Sequence, residues 1–344
     1  MSSPQPPATR RRITSILWFP IFFAIALPVT FEVVYHQPQP HGVPIAVVGN
    51  ASQVSLMTGE LHGVSASGFE VRHLPSAATA SAAVRDRQVA AAYVGNGSAA
   101  TVYLARAAAP IRASYLQGVF ARIAGQAGHQ SPPVVDLVPL AAGDGGTGIF
   151  FVVFPLMMTG VITAIVLLQV PAWPIGRRVA AVAGVGAVGA MATYLTAVSL
   201  DILPGKPLLL AYAFLLTQVF GQLMVGAAPL LKQYFLPAAL TFALILSVPS
   251  SGGTVSPDLL PSPFRYLSDV LPLAQGVNVT RNVAYFHNAD TTQPTLVMLL
   301  WAAIAAGTVA IAWLRQSRGG PRGHKRTPPA EPSRAARTLA PHRK

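Results

Sequence analysis

Residues 149–170 read IFFVVFPLMMTGVITAIVLLQV, an unbroken run without a charged side chain. About 20 apolar residues in a helix rising 1.5 Å per residue cross the ~30 Å hydrocarbon core of a bilayer. The stretch therefore predicts a membrane-spanning helix. Working outward, windows of the same character cover 13–35, 179–200, 207–231, 234–248 and 295–314, the shortest of them ending at Pro249. Composition agrees, since the 344 residues are 52% hydrophobic and only 10% charged, against about 25% charged in soluble domains. Mean hydropathy is +0.49. The expected fold is an α-helical integral membrane protein with six transmembrane helices. Cysteine is absent, which excludes disulfide scaffolds, thiolate metal sites and cysteine nucleophiles.

The net charge of +13 would suggest nucleic acid if it were spread evenly, but it is not. Arg10, Arg11 and Arg12 precede the first span and predict a cytoplasmic N-terminus. Alternation then puts Arg177, Arg178, Lys232 and the tail 315–344 inside as well. Those inner segments hold fifteen of the 24 Lys and Arg residues (three, two, one and nine in turn) with one acid, Glu331. The outer segments hold nine basic and ten acidic residues. Membrane orientation accounts for the excess, and nucleic acid is not expected as a partner. The first span, long and crowded with Trp18, Phe19, Phe22 and Phe23, has no small-x-small site after it. It reads as an uncleaved anchor rather than a signal peptide. A multi-pass protein of the cell membrane, with both termini cytoplasmic, is the expectation.

Between the first two spans, residues 36–147 read as an α/β extracytoplasmic domain. Residues 45–49 and 69–74 are strand candidates, and 89–94 with 101–105 flank a Gly95-Asn-Gly97 turn as a hairpin. Pro110 opens a helical pattern placing Ile111, Tyr115, Val119 and Ile123 on one face. Residues 134–140 are a last strand candidate, and the glycine-rich run 143–148 reads as a flexible tether. His36, His41, His62, His73 and His129 stand singly, without the spacing of a metal pair. Neither a catalytic set nor a cofactor or metal site is expected, and the domain reads as one that binds or docks.

The spans carry no charge in their interiors, which argues against a proton relay. In the third, Ala180/Gly184, Ala183/Ala187 and Gly186/Ala190 are overlapping small-xxx-small pairs, and Ala302, Ala306 and Ala310 repeat the theme in the last. These allow close helix packing or line a pore. Thr193, Tyr194, Thr196, Thr217, Gln218 and Gln222 are uncharged polar groups that need partners in lipid. They read either as interhelical hydrogen bonds or as a weakly polar substrate path. Pro20, Pro28, Pro155 and Pro229 are expected to interrupt or kink their helices.

The outer loop 249–294 holds the most distinctive order of residues. It has Gly252-Gly253-Thr254, Leu260-Pro261 ahead of Phe264, then Leu271-Pro272 and Arg281. Two amphipathic segments, 264–270 and 277–286, are expected there, lying in the interface or dipping in under a cover of protein. This pattern resembles the outer loop before the last span in permease subunits of type-2 ABC exporters, and most closely the YhgE/Pip branch, named for a phage infection protein. The plan of one anchor, a large outer domain and five further spans is similar too.

The resemblance implies a bacterial membrane subunit that pairs as a homodimer or heterodimer. It also implies a separate cytoplasmic ATPase that drives export of an amphipathic, lipid-like or drug-like substrate. By analogy Arg177 and Arg178, in the inner loop 171–178, would face that ATPase. The loop is short and carries two prolines, and Pro4-Gln-Pro-Pro7 is unlike the family's amphipathic elbow helix. The chain has no Gly-x-x-x-x-Gly-Lys-Ser/Thr loop of its own, so it is not expected to be an enzyme. The basic tail suits anionic lipid at the membrane surface. The alternative function is a non-transporting receptor or envelope scaffold acting through the outer domain.

Overall fold

The computed structural model describes residues 8–36, 38–95 and 99–318. Residues 1–7, the middle of the expected 95–97 turn and the basic tail beyond Arg318 lie outside the described residues. The protein is mostly helical, with five helices long and apolar enough to cross a membrane.

The first is α1 (Ala8–Tyr35), whose apolar part begins at Leu17. It stands largely apart from the rest and engages it at one end, where Phe31 packs on the helical bundle and Val34 and Tyr35 enter the core of the next unit. That unit is a five-stranded sheet of β1 (Val43–Val48), β2 (Phe69–His73), β3 (Ala91–Val94), β4 (Thr101–Leu104) and β5 (Val134–Asp136). The strand order is β2-β1-β3-β4-β5, with only the β3/β4 pair antiparallel, Val94 opposite Thr101. Helices α2 (Ala51–Val64) and α4 (Pro110–Gln126) contribute to the core on one face, and α3 (Ala77–Arg85) to that on the other.

Asn50 and Ser76 start α2 and α3 with capping boxes closed by Gln53 and Thr79, satisfying backbone N–H groups that a helix start leaves free. In α4 the buried face is Ala113, Leu116, Val119, Phe120 and Ile123. Ile111 is left 39% exposed, because a strict i, i+4 series drifts around a helix of 3.6 residues per turn. The last strand is only three residues long because Asp136 accepts hydrogen bonds from Arg106 N and Val138 N, turning the chain.

The expected flexible tether is a fixed turn. Asp144 Oδ1 accepts from Gly146 N and Gly148 N, both at 2.8 Å. Gly143 lies so close to Leu200 that a Cβ would meet its carbonyl oxygen.

From this turn α5 (Gly148–Val166), α6 (Ile175–Ser199) and α7 (Pro207–Leu231) follow as antiparallel neighbours, and α11 (Thr292–Arg318) completes the bundle. Helix α7 is central, packed by α5, α6 and α11. The fourth and fifth expected spans fall in one 41-residue apolar stretch, Pro207–Ser247. It turns at Lys232, where φ is +51°, and continues as the six-residue α8 (Phe235–Leu240) and a seven-residue π-helical segment, Thr241–Ser247. Phe242 comes back to within 5.9 Å of Phe220, centroid to centroid, so the chain doubles back on α7. Pro20, Pro28, Pro155 and Pro229 lie inside continuous helices, and the expected interruptions do not occur.

Small residues bring the bundle together at specific points. A Cβ on Gly160 of α5 would stand 2.7 Å from Gly221 N and Thr217 O of α7. Gly186 and Ala190 are buried, while Ala180 and Gly184 on the same helix are exposed. Gly160→Val is expected to cost about 1–3 kcal/mol by overpacking and to lower the melting temperature in detergent. Gly184→Val, at a position with open space around it, should leave melting unchanged. Equal melting of the two variants would show that close α5–α7 approach does not hold the bundle.

Candidate functional site

The stretch 249–287 sits where the sheet unit meets the bundle. After the π-helical segment, Gly252 takes φ +67°, a conformation glycine adopts without strain, and Gly253 lies flush on the Phe150 ring. Val255, Leu259 and Leu260 then join the core formed by β1, α2 and α4. Asp258 pairs with Arg112 of α4 at 2.5 Å, and its carbonyl accepts from His41 N. Pro261 precedes the short helix α9 (Ser262–Val270). Phe264 packs on the same core from its partly buried position.

Leu271-Pro272 starts α10 (Pro272–Tyr285). This helix starts five residues before the second expected segment, and of the two settings expected it has the cover of protein, since α5, α7 and α11 surround it and bury nearly all of it. Beyond its end Phe286 enters the core on the other face of the sheet.

The polar groups of α10 form the joint. Arg281, 4% exposed, donates through Nη2 to Gly252 O at 3.2 Å, while its Nε has no partner. Burial, with Arg87 and Arg112 nearby, draws its guanidinium down to about 9. Arg87, at φ +62° on the sheet unit, donates to Asn282 Oδ1, and Asn282 Nδ2 donates to Asp290 O at 2.8 Å. Burial lowers Arg87 to about 10, an effect that Arg112 reinforces and that Asp290 and Asp258 oppose. Tyr285 donates to Asp144 Oδ2 at 3.1 Å, and burial with that carboxylate pushes its hydroxyl up to about 12. Burial would raise the Asp258 carboxyl, but Arg112 and the Ser256 hydroxyl outweigh it and hold it below the usual carboxylate range.

Of the resemblance residues, Gly252 and Arg281 are bonded, Gly253 packs on Phe150, Leu260 and Phe264 carry the chain against the sheet unit, and Leu271-Pro272 opens α10 about 13 Å along the helix from Arg281. Sequence reasoning missed Arg87, Arg112, Asp144 and Tyr285. Asp258, inside the quoted stretch, was the one available hint of a partner on the sheet unit.

The six polar residues expected to form one path separate into two places. Gln222 Nε2 donates to Val179 O at 3.1 Å and to Gln218 Oε1 at 3.0 Å, and Gln218 Nε2 donates to Val182 O and Thr217 Oγ1. Thr217 is buried and donates to Phe214 O. Thr193, Tyr194 and Thr196 lie seven or more residues further along α6 than Gly186, against which Thr217 and Gln218 sit, roughly 10 Å or more at 1.5 Å per residue. They therefore do not reach this ladder.

The two glutamines also form the floor of an apolar groove of about 580 Å³ between α6, α7 and α11. Ala302, Ala306 and Ala310 line one wall of it, so this small-residue stripe opens a space instead of closing one. At the adjacent loop Arg178 turns back to donate to Val170 O and Pro171 O, and Arg177 is exposed.

On the sheet unit a smaller crevice of about 180 Å³ lies between α2, α4 and the end of β3, lined by Met57, Glu60, Tyr93, Phe120, Ile123 and His129. Its place outside the carboxyl ends of parallel β1 and β3, where the strand order reverses, is the usual ligand position in such sheets. Among the described residues no group of three or more His, Asp or Glu side chains is arranged to hold a metal. No protein-family model, curated protein or solved structure matches the chain.

Removing Arg112 with Arg112→Leu strands the Asp258 carboxylate and should cost roughly 3–5 kcal/mol, with much of the loss restored in the Arg112→Leu/Asp258→Leu double variant. Because the native carboxyl is held below its ordinary value of 3.8, its stabilisation is complete above that value and fades as pH falls through the lower native one. Thermal unfolding followed downward from about pH 5 should therefore fall more steeply for the wild type than for Asp258→Asn. Parallel curves would contradict the pairing.

Proposed function

We propose that the chain is the membrane-spanning permease subunit of an ABC-type exporter, moving an amphipathic substrate outward under the drive of a separate cytoplasmic ATPase. In this reading it crosses the membrane six times, the sheet unit stands outside between the first and second crossings, and both termini face the cytoplasm. It works as a pair, homodimer or heterodimer, in the cell membrane, the basic tail lying along anionic lipid.

The observation that carries the reading is the joint. The stretch that carries the resemblance reaches the sheet unit at two contacts, Asn282 with Arg87 and Asp258 with Arg112, while Arg281 ties α10 to the loop at Gly252. Such a joint couples helix movement inside the membrane to the domain above it. The doubling back at Lys232 supports two crossings within 207–248, and the uncharged glutamine floor of the groove suits an amphipathic cargo. Arg177, exposed at the basic end, remains the candidate contact with the ATPase. Arg178 is the lesser one, since its guanidinium already serves the loop.

The crevice outside β1 and β3, with Leu56 68% exposed at its edge, favours a second reading, a receptor or envelope scaffold that acts through the outer unit.

Gentle-detergent purification from the native host followed by mass spectrometry should yield a stoichiometric ATPase with a phosphate-binding loop, and its hydrolysis should rise in the complex. Repeated absence after crosslinking overturns export and leaves the second reading. The chain has no cysteine, so Lys232→Cys and Asn288→Cys can be labelled singly in intact cells. Only Asn288→Cys should react with an impermeant maleimide, whereas equal labelling would sink the six-crossing arrangement.

A further inference from the structure

The groove between α6, α7 and α11 is walled by Gly176 and Val179 on one side and by Ala306 and Trp313 on the other, with Gln218 and Gln222 beneath. Its volume, about 580 Å³, falls in the range of sites that enclose a small organic molecule, roughly 300–1,000 Å³. The part of α11 that lines it runs from Ala302 to Trp313, eleven steps or about 16 Å along the helix. That matches one leaflet of a ~30 Å hydrocarbon core. Trp313, half exposed beside the groove, is the residue type that sits at headgroup level.

One end of the groove is closed where Gln316 Oε1 accepts from Ile175 N at 3.0 Å, joining the start of α6 to the last turns of α11. Arginines flank that junction on both helices, Arg177 and Arg178 on α6 and Arg315 and Arg318 on α11. No Asp or Glu occurs in 145–200, 202–257 or 291–330, so no acid on these helices answers them. Helix α6 also points its N-terminus, the positive end of its dipole, at this place.

We propose that this groove is a binding site for an anionic phospholipid of the leaflet on the basic side, one acyl chain lying along Ala302, Ala306 and Ala310 and the headgroup phosphate lying at the Ile175–Gln316 junction that the arginines flank. Apolar walls one leaflet deep select a chain, and an arginine rim without acids selects a negative headgroup. The site rests on the reading of the bundle as membrane-spanning and is independent of any ATPase.

The test uses the full chain in phosphatidylcholine nanodiscs, titrated with phosphatidylglycerol or phosphatidylcholine brominated along the acyl chains. Bromine quenches tryptophan on contact, and the difference between wild type and Trp313→Phe isolates Trp313. Quenching of Trp313 is expected at a far lower fraction of the anionic lipid than of the zwitterionic one. Arg177→Gln/Arg315→Gln, at exposed positions that leave the fold intact, should weaken that preference by roughly 30-fold, the effect of two basic residues at a membrane surface. Ala306→Phe should remove the preference for the anionic lipid, leaving only the equal quenching by surrounding lipid that the exposed half of Trp313 permits.

Equal quenching by the two lipids, or a preference untouched by the arginine variant, overturns the proposal. So does an unchanged preference in a folded Ala306→Phe protein. Selective quenching in a protein that captures no ATPase supports this site and counts against export. Unselective quenching in one that does capture it has the opposite meaning.

Discussion

A helix that carries Gln275, Thr280, Arg281 and Asn282 can be buried among apolar helices only if its polar groups find partners there, because an unpaired one costs several times what a hydrogen bond contributes. Helix α10 meets most of that demand with backbone. Gln275 donates to Ser268 O, Asn282 to Asp290 O and Arg281 to Gly252 O. The carbonyls that answer belong to the turns before and after it, so these turns are fixed by the helix they enclose. The guanidinium of Arg281 is incompletely satisfied, with Nε unpaired. The depressed affinity of Arg281 for its proton expresses the same shortage.

The burial of α10 also decides how the sheet unit is attached. Arg87 and Asn282 tie the two together on one side, Arg112 and Asp258 on the other, and Tyr285 reaches Asp144 in the turn that begins α5. Apolar contacts continue the attachment, since Leu259 and Leu260 enter one core of the sheet unit and Phe286 the other. An ion pair in water contributes little. These groups are shielded, and shielding makes the loss of a single partner expensive. The sheet unit is therefore held by contacts that are costly to break one at a time.

The apolar helices were legible because their signal is compositional and long-range order hardly affects it. Strands β1 to β4 and helix α4 were legible from short apolar runs and from Pro110. Helices α2 and α3 were not read, although Asn50 with Gln53 and Ser76 with Thr79 carry the capping signature three residues apart. Helix α3 is Ala-rich with Val84 its one large apolar residue, and α2 fully buries only Met57 and Leu61, so neither shows the long apolar face that follows Pro110. The glycine run 143–148 looked like a tether because glycine usually signals freedom. Here Asp144 organises the turn, and close approach to Leu200 demands the missing side chain. Arg87 at the joint could not have been read, since its pairing with Asn282 spans 195 positions and no local pattern announces it. Within the quoted loop Gly252 and Arg281 bond each other across 29 positions, a link that their spacing in sequence does not announce.

The small residues of the bundle divide by what stands opposite them. Gly160 meets Gly221 and Gly226 meets Thr308, so at those points absence of a side chain becomes contact. Ala302, Ala306 and Ala310 face a gap, because α6 and α11 draw together chiefly at Ile175 and Gln316. Near the sheet unit the corresponding space is filled, since α10 wedges between α5, α7 and α11. Away from it no element of the described chain plays that part. The bundle is thus sealed where it meets the sheet unit and open to the side toward its arginine-rich end. Among the described residues that end carries no Asp or Glu, so the place where the protein leaves apolar surface unfilled is also the place where its arginines gather.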